Sequence, residues 1–353
     1  MAERPLAGRP ARQPAAGAPG PADQSRLAAL RRKLPLGLAL GAAVALGVGI
    51  AGDAPKVAAA LAAFRWELLP VILILTLVNY LVRFVKWQLY LRLISAPPIP
   101  GWESFLLFFS GLAMTITPGK VGEWLKSYLL KERYGVPISV SAPIILAERL
   151  TDGVAMLLLA LGGLLAYGYG RELLAAIGLA ALVLVLATQV RAVQELALAL
   201  AARLPLLSAR VAHLRAFLES SRRLFALGPV VLAIAMGVVS WGAECVAFYL
   251  VLVGLGVEGG GELLLQAAFV LASATIVGSA SMLPGGLAVA EGGITGMLLL
   301  LGITPDRAIA AAATLLIRAG TLWFGVAVGV IALTLLARRA PELTSQPHEA
   351  GGC

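Results

Sequence analysis

Thr117-Pro118-Gly119-Lys120-Val121-Gly122-Glu123 places a helix breaker, two glycines, a cation and an anion within seven residues of an otherwise apolar region. Proline removes a backbone donor and blocks the preceding helical turn, and glycine frees the backbone. A spanning helix needs ~20 apolar residues, and neither arm around Pro118 supplies them. Cations precede the stretch (Arg83, Lys86, Arg92) and follow it (Lys126, Lys131, Arg133). Residues 102–134 therefore read as a re-entrant hairpin that enters and leaves from the cytoplasm. Leu283-Pro284-Gly285-Gly286-Leu287-Ala288-Val289-Ala290-Glu291 repeats this grammar in the other half, so 263–303 reads as a second hairpin.

Composition sets the class. Of 353 residues, 59% are hydrophobic and 13% charged, against roughly a quarter charged in a soluble domain. The mean hydropathy is +0.90. The apolar runs are continuous, whereas barrel strands would alternate. An all-α polytopic membrane protein is expected. The net charge of +9 comes from arginines between apolar runs, the pattern of the positive-inside rule, so no nucleic-acid partner is expected. Cys245 lies in an apolar run and Cys353 is the last residue, so no disulfide is expected. His213 and His348 are far apart and make no metal site.

In chain order, residues 1–33 carry seven basic and two acidic residues and read as a disordered cytoplasmic tail. The membrane domain is 34–337, and 338–353 is a polar tail. Full spans are expected at about 34–51, 68–92, 139–167, 173–190, 228–254 and 305–336. With two hairpins this gives six crossings and both termini inside. Arg83, Lys86, Trp87, Tyr90 and Arg92 suit the cytoplasmic interface, with long side chains snorkelling outward. Residues 191–227 hold six arginines and two glutamates, with Leu207, Val211, Leu214 and Leu218 on one helical face. They read as a basic amphipathic segment on the inner leaflet, or as a solvated loop. In Thr304-Pro305-Asp306, Thr reads as the N-cap of the last helix.

The topology gives the hairpins opposite orientation. Pro118 precedes Arg149 by 31 residues, and Pro284 precedes Arg318 by 34. That pattern fits an inverted repeat whose broken helices meet near the midplane.

Ionisable groups inside a membrane cost about 2.5–3.5 kcal/mol each on insertion scales, so each is a candidate. Lys120 and Glu123 share a helical face just after the break. They form either an ion-paired hairpin tip or a receptor for a lipid phosphate at a helix start. Glu148 and Asp152 share a face, with Arg149 pointing about 100° away. They suit proton coupling, or salt bridges with Lys126 or Arg83. Glu291 and Arg318 are isolated in apolar runs and must find partners across the bundle, either each other or, for Glu291, Arg149. Glu244 is similar but weaker. Trp87, Trp102, Trp124 and Trp241 read as interface or packing residues.

These motifs resemble a known pattern. Pro118-Gly119 with Gly122-Glu123, then Glu148-Arg149 with Asp152, then Pro284-Gly285-Gly286 with Glu291 and Arg318, are similar to the flippase-like family typified by the membrane region of lysylphosphatidylglycerol synthase. The resemblance covers about 35–337. It implies movement of a lipid or glycolipid and a substrate path lined by Lys120, Glu123, Lys126, Glu148, Arg149, Asp152, Glu291 and Arg318. Lys120 and Lys126 stand where arginine is frequent in the family, and Ala288 where glycine is common. Lysine keeps the charge but loses the bidentate fork. The resemblance does not extend to the aminoacyl-transferase domain, so that activity is not expected of this chain.

No nucleophile–base–orienter set or phosphate-cradling nucleotide loop appears. No catalytic residue, metal or cofactor is expected, and the chain does not read as an enzyme. The leading expectation is a flippase-like translocase of the cell (inner) membrane that holds an anionic phospholipid or polyprenyl-linked headgroup between the hairpins. The alternatives are a secondary transporter of a small solute, or a non-transporting partner of an envelope-lipid enzyme. A homo-oligomer fits any of these.

Overall fold

The protein is seen in a computed structural model. It describes residues 21–117, 121–167, 190–203 and 210–338, with scattered positions between 172 and 189; for 21–34, 121–123 and 163–167 only the backbone is described. Every regular element among them is helical: α1 (Pro21–Ala51), α2 (Ala54–Ala63), α3 (Leu69–Leu93), α4 (Gly101–Ala113), α5 (Val121–Tyr134), α6 (Ile138–Tyr167), α7 (Arg191–Arg203), α8 (Val211–Leu224), α9 (Leu227–Gly254), α10 (Gly261–Ala280), α11 (Val289–Leu300), α12 (Arg307–Arg318) and α13 (Phe324–Arg338). A π-helical turn, Ala319–Trp323, joins α12 to α13.

Among the described residues, four helical stretches are long and apolar enough to cross a membrane: Trp66–Leu93, Leu227–Gly254, Gly261–Ala280 and Arg307–Leu336. A fifth arises if Pro35–Ala51 and Ala54–Ala63, bent by 97°, count as one span. The most apolar window, in Trp66–Leu93, is only 22% buried. Ile74, Leu81 and Val85 point outward from α3, as lipid contact requires. This is a multi-pass membrane protein.

Several sequence expectations shift. Helix begins at Pro21, inside the stretch read as a disordered tail, because 24–33 is rich in Ala, Leu and Arg, all good helix formers. The supposed loop after 51 contains α2, whose Val57 packs on Ala308, Ala311 and Ala312. The first arm of the second break, α10, has 20 residues and is about 30 Å long at 1.5 Å per residue, so it is span-length by itself. Asp306 caps α12 by accepting from Ala308 N at 2.7 Å. Thr304 instead receives the Asp306 N–H at 3.2 Å, because Pro305 pushes the helix start later. The expected span at 173–190 lies largely outside the described residues, as does Leu207. α8 lays Ser220, Ser221 and Leu224 inward and packs on α6, so this basic segment is braced by protein.

The packing pairs are matched between the halves. α4 packs along α13, the long helix after the second break, and α10 packs along α6, the long helix after the first. α2 rests on α12, and α8 rests on α6. α3 and α9, which precede the two breaks, pack on each other. Small residues allow these approaches: a Cβ at Gly329 would lie 2.2 Å from Ala113 N, and one at Gly237 would lie 2.8 Å from Ala155 Cβ. Close backbone approach through small residues is how membrane helices associate without a hydrophobic driving force.

Candidate functional site

α4 and α5 are too short to cross alone, at 13 and 14 residues. They run back to back, and the Tyr134 hydroxyl at the end of α5 donates to the Glu103 carboxylate at the start of α4. Burial and that carboxylate push the Tyr134 phenol above its ordinary range. The second break is a 3-10 turn, Pro284–Gly286. Gly285 and Gly286 have φ of 58° and 67°, and a Cβ on Gly286 would sit 3.2 Å from the Gly278 backbone. Glycine is required here for both conformation and space. Ala288 has φ 69° and ψ −45°, a left-handed conformation that an alanine adopts at a cost.

The arms beside the first break, through Leu112, Thr115 and Lys126, and the glycine turn of the second line one cavity of about 190 Å³, partly open to the surroundings. Lys126, Glu148, Arg149, Gly285, Gly286 and Arg318 line it, together with Tyr80, Arg83, Trp241 and Glu244. Of the predicted residues, the structure thus brings Lys126, Glu148, Arg149 and Arg318 together. Glu291 stands directly behind Arg318, and Asp152 lies one layer deeper. Pro118, Gly119 and Lys120 are outside the described residues, and only the backbone of Gly122 and Glu123 is described.

The charges are organised as ion pairs. Arg318 Nε donates to Glu291 Oε1 at 2.6 Å, and Arg318 Nη2 donates to the carbonyl of Gly285 at 2.7 Å. One guanidinium thus ties α12, α11 and the glycine turn. Two of its five N–H donors are spent, and others face the cavity. The π-helical turn begins at the next residue, and Tyr80 donates to the Thr321 carbonyl inside it at 2.6 Å. Such turns break the regular ladder and recur at functional sites. Glu291 Oε2 is buried with no partner among the described residues.

In the other half, Lys126 Nζ donates to Glu148 Oε2 at 2.6 Å. The same ammonium lies 4.8 Å from the Trp87 ring and 5.1 Å from Phe108, within cation–π range. Asp152 takes Lys86 as a direct partner, with Arg83 Nε 3.6 Å away. Of the two options for Glu148 and Asp152, the salt bridges are the one seen: each is held by a cation, Glu148 by Lys126 and Asp152 by Lys86 and Arg83. A shared helical face does not stop each from turning to its own neighbour.

Arg83, Lys86, Trp87 and Tyr90 reverse their predicted direction. Lys86 and Trp87 are 1% exposed and Tyr90 is fully buried. Tyr80, Arg83, Trp87 and Tyr90 recur at three- and four-residue spacing, so they share one face of α3, and that face points inward. This periodicity was the available signal. Arg92, off that face, is exposed, as expected of an interface cation. Arg83 lies 5.7 Å above the Trp241 ring, so Trp241 belongs to the cavity.

Apolar helices around a cavity lined by ion-paired side chains make this a multi-pass membrane protein with a charged interior. The chain belongs to the family described as the lysylphosphatidylglycerol synthase TM region, whose model matches residues 36–329. No curated protein matches the sequence.

Proposed function

We infer that the protein is a lipid translocase of flippase type. An anionic headgroup, on an anionic phospholipid or a polyprenyl-linked lipid, occupies the cavity while its chains stay in the bilayer. The observation that carries this reading is the cavity between the α4–α5 arms and the second break, with Arg149 and Arg318 on its wall. Arginine presents a planar set of donors suited to phosphate. Family membership supports a lipid-handling role in the same direction.

In this reading α4–α5 is a re-entrant hairpin, and the span-length α10 with the short α11 is its broken-helix counterpart of opposite orientation in an inverted repeat. The matched packing supports a two-fold relation between the halves: the first arm at each break leans on the long helix that follows the other. Rocking of one repeat against the other exposes the cavity to each leaflet in turn. In this reading both termini lie in the cytoplasm and the protein in the cell (inner) membrane, which the arginine-rich segments support. The protein performs no covalent chemistry and needs no cofactor.

The test is translocation in proteoliposomes, read by dithionite quenching of a fluorescent phosphatidylglycerol analogue. The wild-type protein should speed movement. Glu291→Gln and Arg149→Ala should slow it roughly tenfold or more, because the first uncharges the buried partner of Arg318 and the second removes a cation from the cavity wall. If both variants fold and move the lipid at the wild-type rate, the site assignment is wrong.

A further inference from the structure

Three carboxylates near the cavity are tied to cations: Glu148 to Lys126, Asp152 to Lys86 and Arg83, and Glu291 to Arg318. Glu244, on α9, is the exception. It lines the cavity, is 7% exposed, and makes no hydrogen bond or ion pair with any described residue. Trp241, one turn earlier on the same face, lines the cavity with an indole N–H that is buried and equally unpartnered. A carboxylate that lines an interior cavity and is bonded to none of the described residues is open to whatever enters that cavity.

The charged groups around Glu244 come from each helix packed on α9. α3 brings Arg83 and Tyr80, α12 brings Arg318, and α6 brings Asp152. α10 presents only the hydroxyls of Thr275 and Ser279 to the cavity. The nearest guanidinium groups are already engaged, Arg83 with Asp152 and Arg318 with Glu291. An anion in the cavity engages the same guanidinium groups and adds its own negative charge beside Glu244.

We propose that Glu244 is a proton-binding site coupled to the headgroup site: an anionic headgroup entering the cavity takes up one proton onto the Glu244 carboxylate, and the two cross together. The proton comes from water on the side of entry and leaves on the side of release. A hard metal cation is a poorer occupant, since it needs several oxygen ligands and two guanidinium groups face this site. A proton needs only the carboxylate. This inference rests on the anionic-headgroup reading. Coupling is reciprocal, so acid must strengthen headgroup binding.

The experiment has two arms, both on the full chain in detergent. In the first, infrared difference spectra are recorded over a pH titration without lipid. A protonated-carboxyl C=O band should grow as pH falls, vanish in Glu244→Gln and return, shifted, in Glu244→Asp. An identical titration in Glu244→Gln overturns the assignment, whatever the lipid does. In the second, dioctanoyl phosphatidylglycerol is titrated by calorimetry in buffers of different ionisation enthalpy. The wild type should take up close to one proton per lipid and bind on the order of a hundredfold tighter at pH 6 than at pH 8. Glu244→Gln should bind without proton uptake or pH dependence. Lipid binding without proton uptake by the wild type overturns the coupling and leaves the headgroup site standing. No binding by the wild type overturns the headgroup reading and the coupling with it.

Discussion

At the first break the cation rides on the short second arm and the carboxylate on the long helix that follows: Lys126 on α5 reaches Glu148 on α6. At the second break the roles are exchanged, and Glu291 on α11 reaches Arg318 on α12. The two pairs occupy matched places with opposite polarity. They also differ in kind. Lysine is a flexible point charge, here resting on aromatic faces, whereas arginine is a rigid fork. Arg318 uses that fork to hold the Gly285 carbonyl as well. The second break is thereby clamped into its left-handed turn by the residue that also faces the cavity. Position alone could be met by any opposite-charge pair. The clamp requires arginine.

That contrast can be broken most forcefully at Arg318. Arg318→Ala should destabilise the protein by about 3–5 kcal/mol, the cost of stranding one buried partner of an ion pair, read as a lowered midpoint of thermal unfolding in detergent. Arg318→Lys keeps the charge and loses the second bond, so a smaller loss of about 1–3 kcal/mol is expected. If Arg318→Lys matches the wild type, the clamp is not structural. Gly286→Ala should cost about 1–3 kcal/mol through its left-handed backbone and its approach to Gly278. The smallest effect is expected at Ala288. Ala288→Gly should raise stability by about 1 kcal/mol by relieving its left-handed φ, and no gain would mean that the strain is absorbed elsewhere.

The residues that stood alone in apolar runs were the easiest to read. Glu291 and Arg318 had no sequence-local partner, and burial forces such charges together, so their pairing was one of two options the sequence allowed. The second break was legible from Pro284-Gly285-Gly286, since few other sequences adopt successive left-handed residues. The inward face of α3 was misread for a physical reason. A cation near an aromatic ring at a helix end looks the same whether it snorkels to water or turns to a buried carboxylate, and local sequence does not say that Asp152 is there. Glu244 was ranked low because one carboxylate in an apolar run carries no sign of what surrounds it. Only the packing of α3, α6 and α12 around α9 reveals that its neighbours' cations are already taken.

The central claim, that the cavity between the breaks holds an anionic lipid headgroup, is tested most directly by mass spectrometry of the lipids that stay with the purified protein. The wild type should retain an anionic phospholipid or polyprenyl phosphate well above its share of the membrane, and Arg149→Ala should lose that enrichment. Retained lipids that mirror the bulk membrane, or an enrichment that survives in the folded variant, would contradict it.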